Sequence, residues 1–305
     1  MKNKAFSIIF LFTAAIVWGF AFSAQVMVDT QVLGNFSFNG VRFVLGSISL
    51  IPIIFIFERE EKNEEKFKKT VFASLIAGTV LFIASALQQY GISINHNAGK
   101  AGFITGLYTV LVPILGFFIL KNKAGMNTWI AVVLAVCGLF LLSAGEGFDE
   151  VNMGDVVVFI GAFFWAGHIL VIDKFVEEVS PIKFAHMQFM VCGIWNLIFA
   201  MFTENITIHG ITSTAIPILY TGIMSTGVAY TCQILGQKGT NPNLSAIILS
   251  TECVFSALGG AVVLGETMSE KGYIGCALMF LGIIVSQVDL KTLAKLVKKE
   301  KNSIE

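Results

Sequence analysis

Runs of about twenty apolar residues follow one another along this chain, with short polar connections between them. An α-helix rises 1.5 Å per residue, so about twenty apolar residues span the roughly 30 Å hydrocarbon core of a bilayer. We count ten such runs, at residues 5–28, 36–57, 70–92, 97–119, 127–143, 153–173, 181–202, 213–235, 241–264 and 270–288. The longest polar connection is 58–69. The pattern predicts an all-α integral membrane protein with ten transmembrane helices.

The composition excludes an ordinary soluble domain. Of the 305 residues, 55% are hydrophobic and only 13% are charged, against about 25% charged in typical soluble domains. The first run, 5–28, is too long for the hydrophobic region of a signal peptide and is predicted to be a retained helix. Acidic and basic residues balance to zero, so we expect no nucleic-acid partner.

The distribution of Lys and Arg predicts the orientation, because cytoplasmic loops carry an excess of these residues. With the N-terminus inside, seventeen of the twenty basic residues lie on the inner side, and five of those follow residue 290. Lys100 and Lys271 lie outside, and Arg42 lies within a helix. This asymmetry predicts a multi-pass protein of the cell membrane with both termini in the cytoplasm.

An internal repeat divides the ten runs into two sets of five. Residues 90–143 resemble residues 235–286 at an offset of about 144 to 145, and earlier in each half Trp18 matches Trp165 and Arg42 matches Gln188. Because five is odd, the halves enter the membrane in opposite orientations, which is a recurring design of secondary transporters. We predict a first repeat at 1–145, a second at 146–290 and a basic cytoplasmic tail at 291–305.

These segments resemble the EamA-type branch of the drug/metabolite transporter superfamily over nearly the whole chain. The resemblance rests on the following segments: 16–22 (IVWGFAF), Arg42, 98–105 (AGKAGFIT), 112–113 (VP), 164–166 (FWA), 251–255 (TECVF) and 264–266 (LGE). The first half departs from the family at 120–122, where Leu-Lys-Asn replaces a Leu-Gly-Glu turn. The resemblance implies ten helices in two repeats, a central cavity open to one side at a time, and transport of small metabolites, without fixing the substrate.

Ionisable residues inside a membrane are costly, so each is a candidate for function. Glu252 lies near the middle of the ninth run, where desolvation disfavours a charged carboxylate and suits a group that takes up and releases a proton. Arg42 lies in the second run and can bind a carboxylate or phosphate with two hydrogen bonds. The structural alternatives, a neutral Glu bonded to a neighbouring helix and an Arg that anchors the fold, remain open for both.

Three residues in the middle of the first and sixth runs are further candidates. Trp18 and Trp165 are related by the repeat and can line a cavity or simply pack between helices. His168, one turn after Trp165, can relay protons near neutral pH or serve as a hydrogen-bonded packing residue.

Polar residues near the helix ends are candidates for two vestibules. Towards the outer ends lie Gln25, Gln88, Gln89, Tyr90 and Lys100, and towards the inner end of the eighth run lie Tyr230 and Gln233. Gln188 joins them as the counterpart of Arg42. Each can also be an ordinary helix-to-helix hydrogen-bonding residue, and Lys100 can instead reach the outer headgroups.

Motifs of other activities are missing from the sequence. It contains no P-loop, HExxH or GxSxG motif, and its five cysteines form no CxxC pair or Cys/His cluster. We therefore expect no metal and no cofactor, and a protein that is not an enzyme. The expected partners are a small-molecule substrate and the lipid bilayer, and a homodimer is left open.

A secondary transporter of small metabolites such as amino acids, working by alternating access, is the leading function. Export is favoured over uptake, and proton coupling is an open element of it. The alternatives are an intramembrane enzyme acting on lipid or lipid-linked substrates, and a non-transporting assembly or sensor protein. An enzyme would need catalytic polar residues clustered at one leaflet, and a sensor would need an added soluble domain.

Overall fold

The computed structural model describes residues 4–58, 63–96, 98–121, 124–143, 152–265 and 269–287. All regular structure in these ranges is helical. The segments are α1 (Lys4–Val26), α2 (Asn35–Phe57), α3 (Glu64–Asn95), α4 (Ala98–Leu120), α5 (Met126–Ser143), α6 (Met153–Phe175), α7 (Pro181–Thr203), α8 (Ala215–Gln237), α9 (Pro242–Val263) and α10 (Glu270–Gln287), with a short helix at Ile208–Ser213. The tail at 291–305 and Glu266 lie outside the described residues.

Eight of these segments are long and apolar enough to cross a membrane: α1–α4 and α6–α9. The helix α5 contains a shorter apolar stretch, Met126–Leu141, and α10 is 18 residues long. The described helices confirm an all-helical, multi-pass membrane protein, and their bounds follow the predicted runs closely.

One predicted connection is shorter than expected. We expected a polar loop over 58–69, but α3 already begins at Glu64. The side chain of Asn63 accepts a hydrogen bond from the backbone N–H of Lys66 at 3.0 Å, and Lys68 pairs with Glu64 at 2.7 Å. Capping and an ion pair four residues apart favour a helix in this polar segment, which hydropathy alone does not detect.

The bundle interleaves the two halves of the sequence. The helix α1 packs on α8 and α9 from the second half, whereas α6 packs on α3 and α4 from the first. The helices α2 and α7 pack against each other, as do α5 and α10. The first helix of each half therefore packs against helices of the other half. A central space lies between the α1–α8–α9 group and the α3–α4–α6 group.

Two half-buried carboxylates, Glu58 and Glu204, cap the helix pair α2 and α7 reciprocally. Glu204, just after α7, accepts hydrogen bonds from the backbone N–H groups of residues 36–37 at 2.9 and 2.8 Å. Glu58, just after α2, accepts them from residues 182–183 at 3.0 and 2.9 Å. A carboxylate at a helix N-terminus satisfies free N–H groups and complements the helix dipole. These contacts tie the two helices together at both ends.

Three helices are irregular near their midpoints. The α-helical pattern of α4 is interrupted at Leu107 and that of α9 at 250–251, where hydrogen bonds to the third preceding residue tighten the chain. In α8 a π-helical stretch runs from Tyr220 to Tyr230. Irregular backbone of this kind frequently marks functional sites in membrane helices.

Candidate functional site

A cavity lies in the central space between the two helix groups, and its empty space, which includes open solvent, is about 470 Å³. Tyr108, Trp165 and Glu252 lie on its wall near the midpoints of α4, α6 and α9. The full lining is Trp18, Ala21, Phe22, Gln25, Arg42, Gln88, Thr105, Tyr108, Trp165, Ile169, Ser225, Tyr230, Gln233, Leu249 and Glu252.

Arg42 forms a positively charged part of the wall. Its Nε donates to Asn39 Oδ1 at 2.9 Å, and its guanidinium carbon lies 4.7 Å from the centroid of the Phe43 ring and 5.4 Å from that of Phe38. Only 2% of Arg42 is exposed. Among the described residues no carboxylate lies within ion-pairing distance of it. The cavity therefore contains a buried cation held by a neutral amide and two aromatic rings.

Glu252 supplies the single carboxyl among the described lining residues. It is 5% exposed and immediately follows the irregularity at 250–251 of α9. The Tyr108 hydroxyl faces this carboxyl, although the geometry between them falls short of a full hydrogen bond. Tyr108 follows the irregularity of α4 in the same way, so the two side chains are presented by equivalent positions of their helices.

Aromatic rings gathered around Tyr230 form the floor of the cavity. Trp18 contacts Tyr230 edge-on with centroids 4.6 Å apart, and Trp165 stacks on it at 6.2 Å. Beneath them Phe43 and Phe189 lie 6.2 and 5.6 Å from Tyr230. Such rings offer a flat apolar surface to a substrate.

Several polar atoms on the wall have no partner among the described residues: Gln25 Oε1, Gln233 Oε1, Tyr108 Oη and Trp165 Nε1. The set contains both donors and acceptors. A buried polar group without a partner costs about 1–3 kcal/mol, so this wall is suited to a polar ligand or to water.

His168 and Gln188 lie together just outside the cavity. His168 Nε2 and Gln188 Oε1 are 3.0 Å apart, and both side chains are fully buried. The His168 ring also packs edge-on against Tyr230 and Trp165, with centroids 6.0 and 6.2 Å away. Both residues thus support the aromatic floor from behind rather than lining the cavity.

Of the residues predicted for the site, eight line the cavity: Trp18, Gln25, Arg42, Gln88, Trp165, Tyr230, Gln233 and Glu252. Besides His168 and Gln188, the predicted residues Gln89, Tyr90 and Lys100 lie elsewhere. Gln89 is buried behind Gln25 and donates to its backbone carbonyl at 3.5 Å, and Tyr90 is 52% exposed on the outer surface of the bundle.

Lys100 neither lines the cavity nor reaches outward to headgroups. Its Nζ lies 2.8 Å from Asp155 Oδ2, and both side chains are less than a tenth exposed. Asp155 belongs to the first turn of α6, where it forms a capping box with Asn152. This ion pair joins α4 to α6 and is structural.

The prediction missed Thr105, Tyr108 and Ser225, and it placed Gln88 and Gln233 in opposite vestibules rather than on one cavity. The internal repeat relates four of these residues, Gln88, Thr105, Tyr108 and Gln233, to other lining residues. Five pairs of lining residues are related by offsets of 144 to 147: Trp18 and Trp165, Phe22 and Ile169, Gln88 and Gln233, Thr105 and Leu249, Tyr108 and Glu252.

In the described part of the chain, no three His, Cys, Asp or Glu side chains come together as metal ligands. The chemistry available in the cavity is therefore hydrogen bonding, charge and aromatic contact.

Comparisons with known proteins agree with this architecture. Residues 5–144 and 152–287 each match the EamA-like transporter family. An uncharacterized transporter of Archaeoglobus fulgidus is 30% identical over 89% of this chain and 82% of its own length. The aromatic amino acid exporter YddG of Salmonella typhimurium is 24% identical over 69% of this chain and 75% of its own length. A crystal structure of 16% identity superposes with a TM-score of 0.75 over 94% of this chain and 98% of that one, which shows a shared fold.

Both matches to the family model lie side by side and together cover most of the sequence, one in each predicted half. Both relatives are named as transporters. The chain belongs to the EamA-like transporter family and is a membrane transporter, not an enzyme.

Proposed function

We propose that this protein is a secondary transporter that moves small organic metabolites by alternating access between two inverted five-helix repeats. The observation that carries the proposal is the composition of the cavity. It lies at the helix midpoints, and ten of its fifteen lining residues form five repeat-related pairs. Inverted-repeat transporters bind their substrates near the midplane between the repeats.

The reciprocal caps support the inversion. Glu58 and Glu204 are 146 positions apart, and so are the amides they accept from, at 36–37 and 182–183. The two contacts lie at opposite ends of an antiparallel helix pair. An inverted repeat produces this arrangement because a twofold axis in the membrane plane exchanges the two ends. In this proposal α5 and α10 complete the ten spans.

Amino acids or related organic compounds are the proposed substrates, with export as the direction favoured and uptake as the second. The cavity offers aromatic surface, amides and two residues able to carry opposite charges, Arg42 and Glu252. The name of the Salmonella relative, an aromatic amino acid exporter, agrees with such a substrate. Glu252 is the proposed site of proton exchange.

Reconstitution tests this proposal directly. Proteoliposomes loaded with unlabelled L-phenylalanine should take up labelled L-phenylalanine by exchange, and an amino-acid panel should identify better substrates. Tyr230→Leu removes the centre of the aromatic floor and should lower the exchange rate strongly. Phe202→Leu changes a residue that is 84% exposed on the outer surface of the bundle and should leave the rate unchanged. Exchange no faster than in empty liposomes, across the panel and with folded protein, would exclude the proposal.

A further inference from the structure

We propose that the transported compound carries a carboxylate that serves as the missing counter-ion of Arg42, and that Asn39 sets this specificity by holding the guanidinium without neutralising it. The inference rests on the proposed function and adds the chemical class of the substrate and a positioning residue.

The first step is the unpaired charge. Apart from its Nε contact with Asn39, the Arg42 guanidinium has no hydrogen bond or ion pair to the described residues, so both of its Nη groups are left for the cavity it lines. Removing an ion from water is unfavourable even after the protein relaxes around it. The cation–π contacts with Phe38 and Phe43 offset only part of that penalty. The charge is therefore not fully compensated by the protein around it.

The second step is that the nearby groups do not supply the anion. Glu252 lines the same cavity but forms no ion pair with Arg42. Tyr230 and Cys192, which lie near Arg42, are both buried, and phenols and thiols are weak acids that are ordinarily uncharged at physiological pH. An anion from outside the protein is left as the partner, and a carboxylate matches the planar, bidentate edge of a guanidinium.

The third step concerns Asn39, which lies one helical turn before Arg42. It is fully buried, and its Nδ2 donates to the backbone carbonyl of Ser85 at 3.1 Å. That contact fixes the orientation of the amide, so Oδ1 must face Arg42 Nε. Asn39 therefore orients the guanidinium through a neutral acceptor and ties α2 to α3. An Asp at this position would itself become the counter-ion of Arg42.

The experiment compares ligands that differ only in their acid group. Trp18 and Trp165 line the cavity, so tryptophan fluorescence of the purified full chain reports binding. The probes are 3-phenylpropionate with 3-phenylpropionamide, and L-phenylalanine with L-phenylalaninamide. We expect the wild-type protein to bind each carboxylate at least about tenfold more tightly than its amide, which corresponds to about 1.4 kcal/mol.

Asn39→Asp should remove this preference for carboxylates. Because the carboxylate cannot donate to the Ser85 carbonyl as the Asn39 amide does, the melting temperature of the variant is measured to establish that it folds. Asn39→Ser keeps a neutral acceptor and should keep the preference. Gln233→Glu adds a carboxylate to the same cavity without a hydrogen bond to Arg42, and should weaken carboxylate binding less than Asn39→Asp does.

Equal affinity for acids and amides in the wild type overturns the inference, and so does a carboxylate preference that persists in folded Asn39→Asp. If Asn39→Asp does not fold, the wild-type comparison decides alone. Acid-selective binding without flux in proteoliposomes would refute transport but keep the assignment of Arg42 and Asn39 as a carboxylate-binding site. Flux that is equal for acids and amides would support transport but refute the carboxylate preference.

Discussion

Glu252 and Tyr108 meet in the middle of the cavity, where each follows an irregularity of its own helix. The carboxyl is buried beside a hydroxyl that lacks a full hydrogen bond. A carboxyl in such a place can exchange a proton with the cavity as its surroundings change, and a nearby hydroxyl can stabilise either form. This pair is the residue-scale basis of the proposed proton coupling.

The substitution Glu252→Gln keeps the shape of this side chain and removes its ability to exchange a proton. Substrate exchange at equal pH should persist, whereas accumulation driven by an imposed pH gradient should fall to the level of empty liposomes. Glu64→Gln, at a carboxyl that is 80% exposed, is the matched control and should accumulate normally. Unchanged gradient-driven accumulation and pH dependence in Glu252→Gln would rule out Glu252 as the coupling group.

Individual site residues were predictable to different degrees. Arg42 and Glu252 stand out because charged residues are rare inside apolar runs. Tyr108 and Thr105 do not stand out, since neutral polar residues are common in membrane helices. Position along a run predicts the depth of a residue but not which way its helix is rotated, so Tyr90 was expected at a vestibule and lies on the outer surface.

At the scale of elements, α1 and α9 approach each other very closely at Gly19. A Cβ atom built at Gly19 would lie 2.6 Å from the backbone carbonyl carbon of Phe255. Small residues allow membrane helices to pack with their backbones in contact. Gly167 lies in the matching region of α6, but a Cβ there would find its nearest neighbour, Val80, only at 3.9 Å.

Gly19→Ala should therefore lower the melting temperature in detergent, because backbone atoms of α9 cannot move aside without separating the helices. Overpacking of this kind typically costs about 1–3 kcal/mol. Gly167→Ala is the matched control and should leave the melting temperature unchanged or raise it, since Ala favours helix. Equal melting temperatures for the two variants would contradict the close packing at Gly19.

Helix bounds were largely predictable, because apolar length and capping residues such as Asn241 and Pro242 are local properties of the chain. The cross-caps of Glu58 and Glu204 were not. Each carboxylate caps a helix that begins more than a hundred residues away in sequence, so no local sequence pattern predicts the cap.

At the scale of the whole molecule, the proposed ten spans in two inverted sets would place both chain ends on one side of the membrane. The Lys and Arg distribution predicts that this side is the cytoplasm. A reporter that is active only in the cytoplasm should be active when fused after residue 287. The same reporter fused within residues 205–207, between α7 and α8, should be inactive. The opposite pattern of activities would overturn the orientation, and activity at both sites would overturn the span count.

The sequence alone determined that this is a helical membrane protein, and it determined the ends of its helices and the presence of two related halves. These properties depend on hydropathy, capping and internal similarity, which are read along the chain. Only the tertiary structure decided that α1 packs against helices of the second half and α6 against helices of the first. It also decided that Lys100 forms an ion pair with Asp155, and that Arg42 lines the cavity without an ion pair to the described residues. Those outcomes depend on which helix faces lie against each other, and that choice is settled by packing between residues far apart in the sequence.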